Sequence, residues 1–153
     1  MTNTSETTAT TTTTGSDSLG QAPGVWPCLS YSDARAAIRF LVDTLGFSES
    51  AVYGEGERVD HAELAWPYGG GLMLGSSKPE SPLGQKQADD GSVYLVVPED
   101  SVADDLYRKV VDAGATITVD LRDEDYGSHG FTCRDPHGVF FSIGTYRGHG
   151  YAG

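Results

Sequence analysis

Two polar side chains in the stretch RVDHAELAW carry the most direct chemistry in the chain: His61 and Glu63. Residues two apart on a strand point to the same face, so an imidazole and a carboxylate are expected side by side, as a proton-transfer pair or as a pair that orients a ligand. A partly exposed structural pair is the other reading of the same spacing. His129, in the later stretch DEDYGSHG, is a third donor that a non-standard metal site with His61 and Glu63 would need, although no closed spacing motif joins the three. Aromatic residues supply a different kind of surface. Trp26, Tyr31, Tyr53, Tyr94, Tyr126 and Phe140 can stack on a planar or cationic ligand where they face a pocket, or else pack in a core or an interface.

Positioning these groups requires a small sheet structure, and the strands and helices are readable in order. VWPCLSY reads as a strand that runs into Ser32 and Asp33, good helix N-caps, and ARAAIRFLVDTL follows with Ala34, Ala37, Ile38, Leu41 and Leu45 on one face. Gly46 stands where a left-handed C-terminal residue is wanted. Three strands come next, SAVYG, RVDHAELAW and GGLMLGS, separated by turn-forming GEGE and PYGG. After the polar segment KPESPLGQKQADDG the pattern restarts: SVYLVV as a strand, Ser101 and Asp104 as a capping box for VADDLYRKVVDA, then TITVDL, HGFTCR and VFFSIGTY as strands. Val102, Leu106, Val110 and Ala113 share the face of that second helix, which Gly114 ends.

The order βαβββ therefore occurs twice, and WPYGGGLMLG (66–75) and DPHGVFFSIG (135–144) repeat Pro, Gly and terminal Gly at an offset of 69 residues. The sequence predicts an α+β fold of two tandem modules, 24–77 and 91–147, forming a curved mixed sheet with helices outside and a concave cup inside. Period two sorts the strands. Ala62, Leu64, Trp66, Leu29, Phe141 and Ile143 go to the helices, leaving Val59, His61 and Glu63, Trp26, Cys28 and Ser30, and Phe140, Ser142 and Gly144 for the cup. Tyr126 and Gly127 are placed on a loop rimming the cup, beside the acidic Asp123, Glu124 and Asp125. The expected ligand-binding set is Trp26, Cys28, Tyr94, Tyr126, Phe140 and Ser142.

Charge and composition narrow the partners. With 10 lysines and arginines against 22 aspartates and glutamates, the formal charge is −12, which opposes association with nucleic acid or anionic lipid. Such a surface attracts a cationic small molecule, or serves solubility alone. Cys28 and Cys133 are isolated and are expected as free thiols in a reducing, cytoplasmic setting, the buried structural thiol being the default for Cys28. No apolar run is long enough for a membrane helix. Residues 1–20, rich in threonine and nearly free of apolar side chains, are expected to be a disordered tail, and 148–153 a short C-terminal one.

The stretches WPCLSYSDARAAIRFLVDTLGF, HAELAWPYGGGLMLGSS and DYGSHGFTCRDPHGVFFSIGTY resemble the vicinal oxygen chelate superfamily, which includes glyoxalase I, bleomycin-resistance proteins and extradiol dioxygenases. The resemblance spans residues 24–147 and implies paired βαβββ modules and a homodimer. Metal enzymes of that superfamily place His, Gln or Glu on the first and last strand of each module. Carried over one by one, those places fall on Trp26, Met73, Ser92 and Ser142, so the resemblance implies a member without the usual metal ligands and without a cofactor. The expectation is a metal-independent protein that binds a small molecule, sequestering an aromatic or cationic compound; the alternative is a lyase or isomerase using His61 and Glu63.

Overall fold

A computed structural model describes residues 23, 25–78 and 91–149. The expected N-terminal tail, nearly all of the segment between the modules and the last four residues lie outside the described residues. The elements are β1 (Cys28–Tyr31), α1 (Ala34–Arg39), β2 (Ser48–Tyr53), β3 (His61–Ala65), β4 (Gly71–Ser76), β5 (Ser92–Val96), α2 (Asp100–Asp112), β6 (Thr116–Glu124), β7 (Ser128–Arg134) and β8 (Phe140–Gly144). The order βαβββ occurs twice, as expected. Each module carries its own four-stranded mixed sheet, in the order β1-β4-β3-β2 and β5-β8-β7-β6, with β1–β4 and β5–β8 parallel and the other pairs antiparallel.

Local sequence explains the first helix. The Asp33 carboxylate accepts the Ala36 N–H at 3.0 Å, which satisfies one of the free donors at the helix start. Ala34, Ala37, Ile38, Leu41 and Leu45 are all buried, the apolar stripe read from the sequence. The helix is not α-helical throughout. It passes at Phe40–Leu45 into a π-helical turn and closes on Gly46, whose φ of 94° is the left-handed conformation that favours glycine.

The second helix departs from expectation at its start. It begins at Asp100 with Glu99 as N-cap and no side-chain cap bond, so Ser101 lies inside the helix and does not form the expected box with Asp104. Its buried residues are Ala103 and Val110, with Val102 and Leu106 partly buried; Ala113 is exposed. Asp104 is thereby left free to bond elsewhere.

A single core joins the modules. Phe40, Leu41, Leu64, Trp66 and Leu74 from the first belong to one buried cluster with Leu95, Val97, Phe131, Phe141 and Ile143 from the second, each large side chain contributing about 1.5–3 kcal/mol by leaving water. Among the described residues two side-chain hydrogen bonds cross the junction. Trp66 Nε1–H donates to the Val96 carbonyl at 2.9 Å, and the Tyr31 hydroxyl donates to Asp135 at 2.8 Å. Tyr31, counted among the aromatics for a ligand, is thus a core residue, because it shares the strand face of Leu29. Val59 is also a correction. It precedes β3, where strand alternation does not yet apply, and it is fully buried rather than on the open face with His61.

Candidate functional site

Strand register places the open faces of the two sheets in corresponding rows. In the first module Cys28 pairs with Met73 and Met73 with Glu63, so thiol, thioether and carboxylate stand on one face. In the second, Tyr94 pairs with Ser142, Ser142 with Thr132, and Thr132 with Val119. These rows are counterparts under the duplication: Met73 and Ser142, like Glu63 and Thr132, are 69 residues apart.

The second row opens into a pocket. Tyr94, Tyr126 and Ser142 line a cavity of about 110 Å3 together with Glu124, Ser128 and Thr132. Three of the six expected ligand-binding residues therefore come together. The pocket owes its shape to Gly144, since a side chain there would meet the Ser128 hydroxyl at 2.5 Å and the Tyr94 hydroxyl at 2.7 Å. The ring of Tyr94 lies in that space, its hydroxyl 3.3 Å from Ser128 Oγ. Ser142 and Thr132 hydroxyls share a hydrogen bond of 2.9 Å at the floor.

The rim is aromatic and acidic. Tyr126 is 58% exposed and meets Tyr146 edge-on at 5.5 Å between ring centres. Partial desolvation, followed by the Glu124 carboxylate, raises the pKa of the Tyr126 phenol, so it stays neutral. Glu124 is held by the Arg122 guanidinium at 2.6 Å. The segment around Tyr126 is a hairpin rather than a free loop, because Asp123 and Glu124 end β6, Ser128 begins β7, and the two strands remain paired up to Glu124 and Ser128.

Trp26, Cys28 and Phe140 lie elsewhere. Trp26 covers Gly71 on the first sheet, with its indole 2.9 Å from where a Cβ at Gly71 would stand. Cys28 is exposed, not the buried thiol that isolated cysteines suggest, and its Sγ lies 3.8 Å from the Trp26 carbonyl. Phe140 stacks under the Arg134 guanidinium at 4.6 Å, a cation–π contact at the sheet surface. Of the expected ligand places, Ser92 pairs with Phe140, beside rather than inside the pocket.

His61 and Glu63 do meet. Their side chains are 3.0 Å apart on the open face of the first sheet, each more than a third exposed, with Tyr53 stacked on the imidazole at 6.5 Å. His129 does not join them. In β7 it shares the face of Phe131 and Cys133, the helix side, and its ring nitrogens contact Asp104 and Asp123. Among the described residues no cluster of three His, Cys, Asp or Glu donors includes His61 or Glu63.

Sequence reasoning does not single out Ser128 or Thr132, whereas Glu124, read on the acidic rim of the cup, does line the pocket. Period two from Phe131 places Thr132 away from the helix within HGFTCR, but it places Ser128 there only if β7 starts at Ser128, a boundary that DEDYGSHG reads as loop.

Comparisons agree with this architecture. Residues 25–143 match the family model described as the glyoxalase/bleomycin resistance protein/dioxygenase superfamily. The chain is similar in fold to the crystal structure of TioX from Micromonospora sp. ML1, at 24% identity and a TM-score of 0.65, over 79% of this chain and 98% of that one. It is similar to a glyoxalase/bleomycin resistance protein/dioxygenase from Nocardioides, at 19% identity and a TM-score of 0.62, over 86% and 88% of the two chains. A lactoylglutathione lyase from Agrobacterium tumefaciens follows at 17% identity and a TM-score of 0.58, over 80% and 93%. Set against curated proteins, the chain finds no match.

Proposed function

We propose, from the premise that the chain belongs to the glyoxalase/bleomycin resistance protein/dioxygenase superfamily, that it binds a small aromatic or cationic compound at the Tyr94–Tyr126 pocket and holds it without converting it. The observation that carries this reading is the composition of that pocket. Two tyrosines wall it, hydroxyls of Ser128, Thr132 and Ser142 floor it, and Glu124 stands at its edge. Aromatic faces attract cations, a nearby carboxylate adds to that attraction, and the net charge of −12 raises the local concentration of a cationic ligand. At about 110 Å3 the pocket is smaller than the roughly 150 Å3 cavity that admits a benzene. It takes an alkylammonium head or the edge of one ring, and the remainder of the ligand lies over the open sheet.

The reading is also metal-independent. The four places at which relatives carry metal ligands hold an indole, a thioether and two hydroxyls here, at Trp26, Met73, Ser92 and Ser142. Such donors neither neutralise a divalent ion nor match imidazole and carboxylate in basicity, so this set does not fit a metal. A homodimer is part of the proposal. β1 and β5 each end a sheet, and a second copy placed along them would extend the open faces that carry Cys28 and Tyr94. No helix among the described residues is long and apolar enough to cross a membrane, and a cytoplasmic setting is proposed from the two free thiols.

Equilibrium dialysis and thermal shift against a panel of aromatic and quaternary ammonium compounds test the reading. Micromolar binding that Tyr126→Ala weakens tenfold or more supports it; no binding at micromolar concentration anywhere in the panel removes it. The enzymatic alternative rests on the His61–Glu63 contact of 3.0 Å, a geometry suited to proton transfer. Substrate turnover that His61→Ala abolishes would favour that alternative over simple sequestration.

A further inference from the structure

The opposite face of the second sheet gathers a second set of donors, independent of the pocket. β7 sends Ser128 and Thr132 to the pocket and His129 to the other side, toward the first turn of α2. Asp100 opens α2, Asp104 lies one turn on, and Asp123 is the cross-strand partner of His129 in β6. Four residues from three elements thus meet at one imidazole. His129 Nδ1 lies 2.7 Å from Asp123 Oδ1, and Nε2 lies 2.6 Å from Asp104 Oδ1. One ligand atom each from Asp100, Asp123 and His129 lie within 4.8 Å of one another.

We propose that Asp100, Asp123 and His129 form a divalent transition-metal site, with Asp104 as the residue that orients the imidazole. Three arguments carry it. The first is tautomer control: with Nε2–H donated to Asp104, the Nδ1 lone pair points to the side on which Asp123 stands, the carboxylate–histidine–metal arrangement in which the outer carboxylate fixes the ring and raises its basicity. The second is charge. A proton on His129 balances one of three carboxylates, whereas a divalent ion balances two, and the neighbouring arginines are engaged elsewhere, Arg122 with Glu124 and Arg108 with Asp105. The positive end of the α2 dipole opposes a cation, but it amounts to roughly half a unit charge.

The third argument is reach. Two ligands about 2.1 Å from one ion are roughly 3 to 4.2 Å apart, so the wider gaps, within 4.8 Å now, need to close by about 1 Å or less, while the Asp123 carboxylate, 2.7 Å from Nδ1, swings back by roughly a few tenths of an ångström to admit the ion. Asp100 and Asp123 are exposed at the ends of their elements and are free to make that movement, while His129 is held from both sides. One nitrogen and two oxygen donors with remaining positions for water suit Zn²⁺, Mn²⁺ or Co²⁺. The site joins the start of α2 to the β6–β7 hairpin, so occupancy would brace the rim on which Tyr126 sits.

The test is titration of the full chain, stripped with EDTA, with Zn²⁺ and separately with Mn²⁺, followed by calorimetry, melting temperature and amide NMR. The expected result is one equivalent bound at micromolar concentration, a raised melting temperature, and Mn²⁺ broadening that starts at Asp100, Asp123 and His129. Asp123→Asn, an exposed substitution that leaves the core untouched, is expected to weaken binding tenfold or more, and Asp104→Asn by about 10–100-fold. Asp43→Asn, which neutralises an acidic residue on the π-helical turn, is expected to bind as the wild type does. Absence of binding below about 1 mM overturns the site, and so does wild-type affinity in Asp123→Asn, which would identify the ion as a diffuse counterion.

Discussion

The hydroxyl of Tyr31, at the end of β1, donates a 2.8 Å hydrogen bond to a carboxylate oxygen of Asp135, 104 residues further on in the turn before β8. Both groups are buried. The other Asp135 oxygen accepts the backbone N–H groups of His137 and Val139 at 2.9 Å each, so three donors hold this carboxylate, with no ion-pair partner among the described residues. Burial first, and the Asp135 charge second, drive the Tyr31 phenol far above its ordinary pKa and keep the donor proton in place. The repeated Pro-Gly turn of the second module is in this way fastened to the first strand of the first.

Removing the hydroxyl with Tyr31→Phe leaves one face of a buried carboxylate without its donor. A hydrogen bond to a charged group is worth about 1.5–3 kcal/mol, so a loss of about 2 kcal/mol is expected in urea denaturation. Tyr107→Phe is the comparison, because the Tyr107–Asp120 bond of 3.1 Å lies at the surface. That variant is expected to lose under about 0.5 kcal/mol. Equal losses in the two would show that the cross-module bond carries no special weight.

Much of this architecture is legible in the residues, and the failures share a cause. The helical stripe Ala34, Ala37, Ile38, Leu41 and Leu45 and the alternation Ala62, Leu64, Trp66 are local patterns, and the structure buries each of these residues. Tyr31 shares parity with Leu29, yet its partner Asp135 is too distant in the chain for any local pattern to reveal. The π-helical turn at Phe40–Leu45 leaves the apolar stripe unbroken and so has no signature in it. Ser128 depends on where β7 begins. Read as loop, DEDYGSHG leaves Ser128 without a face, while His129, first in the strand HGFTCR, takes the parity of Phe131 but meets Asp104 on a helix that no local pattern joins to it.

The pocket depends on the missing side chain of Gly144. A methyl group there would stand 2.7 Å from the Tyr94 hydroxyl and 2.5 Å from Ser128 Oγ, and Ser128 is buried and unable to retreat freely. Gly144→Ala is therefore expected to push Tyr94 outward. A destabilisation of about 1–3 kcal/mol should accompany a tenfold or greater loss of ligand affinity. Retained affinity, measured by dialysis on the folded variant, would place the ligand away from Tyr94.

The two thiols should separate cleanly by reactivity. Cys28 is exposed on the edge strand of the first sheet, whereas Cys133 is buried in the core, where desolvation pushes its thiol up to about 12. Thiolate is the reactive form, so a thiol reagent at pH 8 should modify one cysteine quickly in the native protein and a second only on unfolding. Mass spectrometry of the early product should find the label on Cys28. Early label on Cys133 would mean that the second sheet opens readily.

Stability should also depend on pH through His129 in protein free of divalent cations. Hydrogen bonds to Asp104 and then to Asp123 raise its pKa above the ordinary 6.5, outweighing a desolvation that acts in the opposite direction. The folded state thus holds the proton more tightly than the unfolded chain. The added stability is fully present below about pH 6.5, the unfolded value, and declines as pH rises through the higher folded value. Urea midpoints from pH 5.5 to 9 should fall across that window in the wild type and fall less in Asp104→Asn, which removes the larger of the two contacts. Unequal slopes in that direction would locate the titration at His129; identical slopes would place it on another group and show that the His129 proton is not coupled to folding.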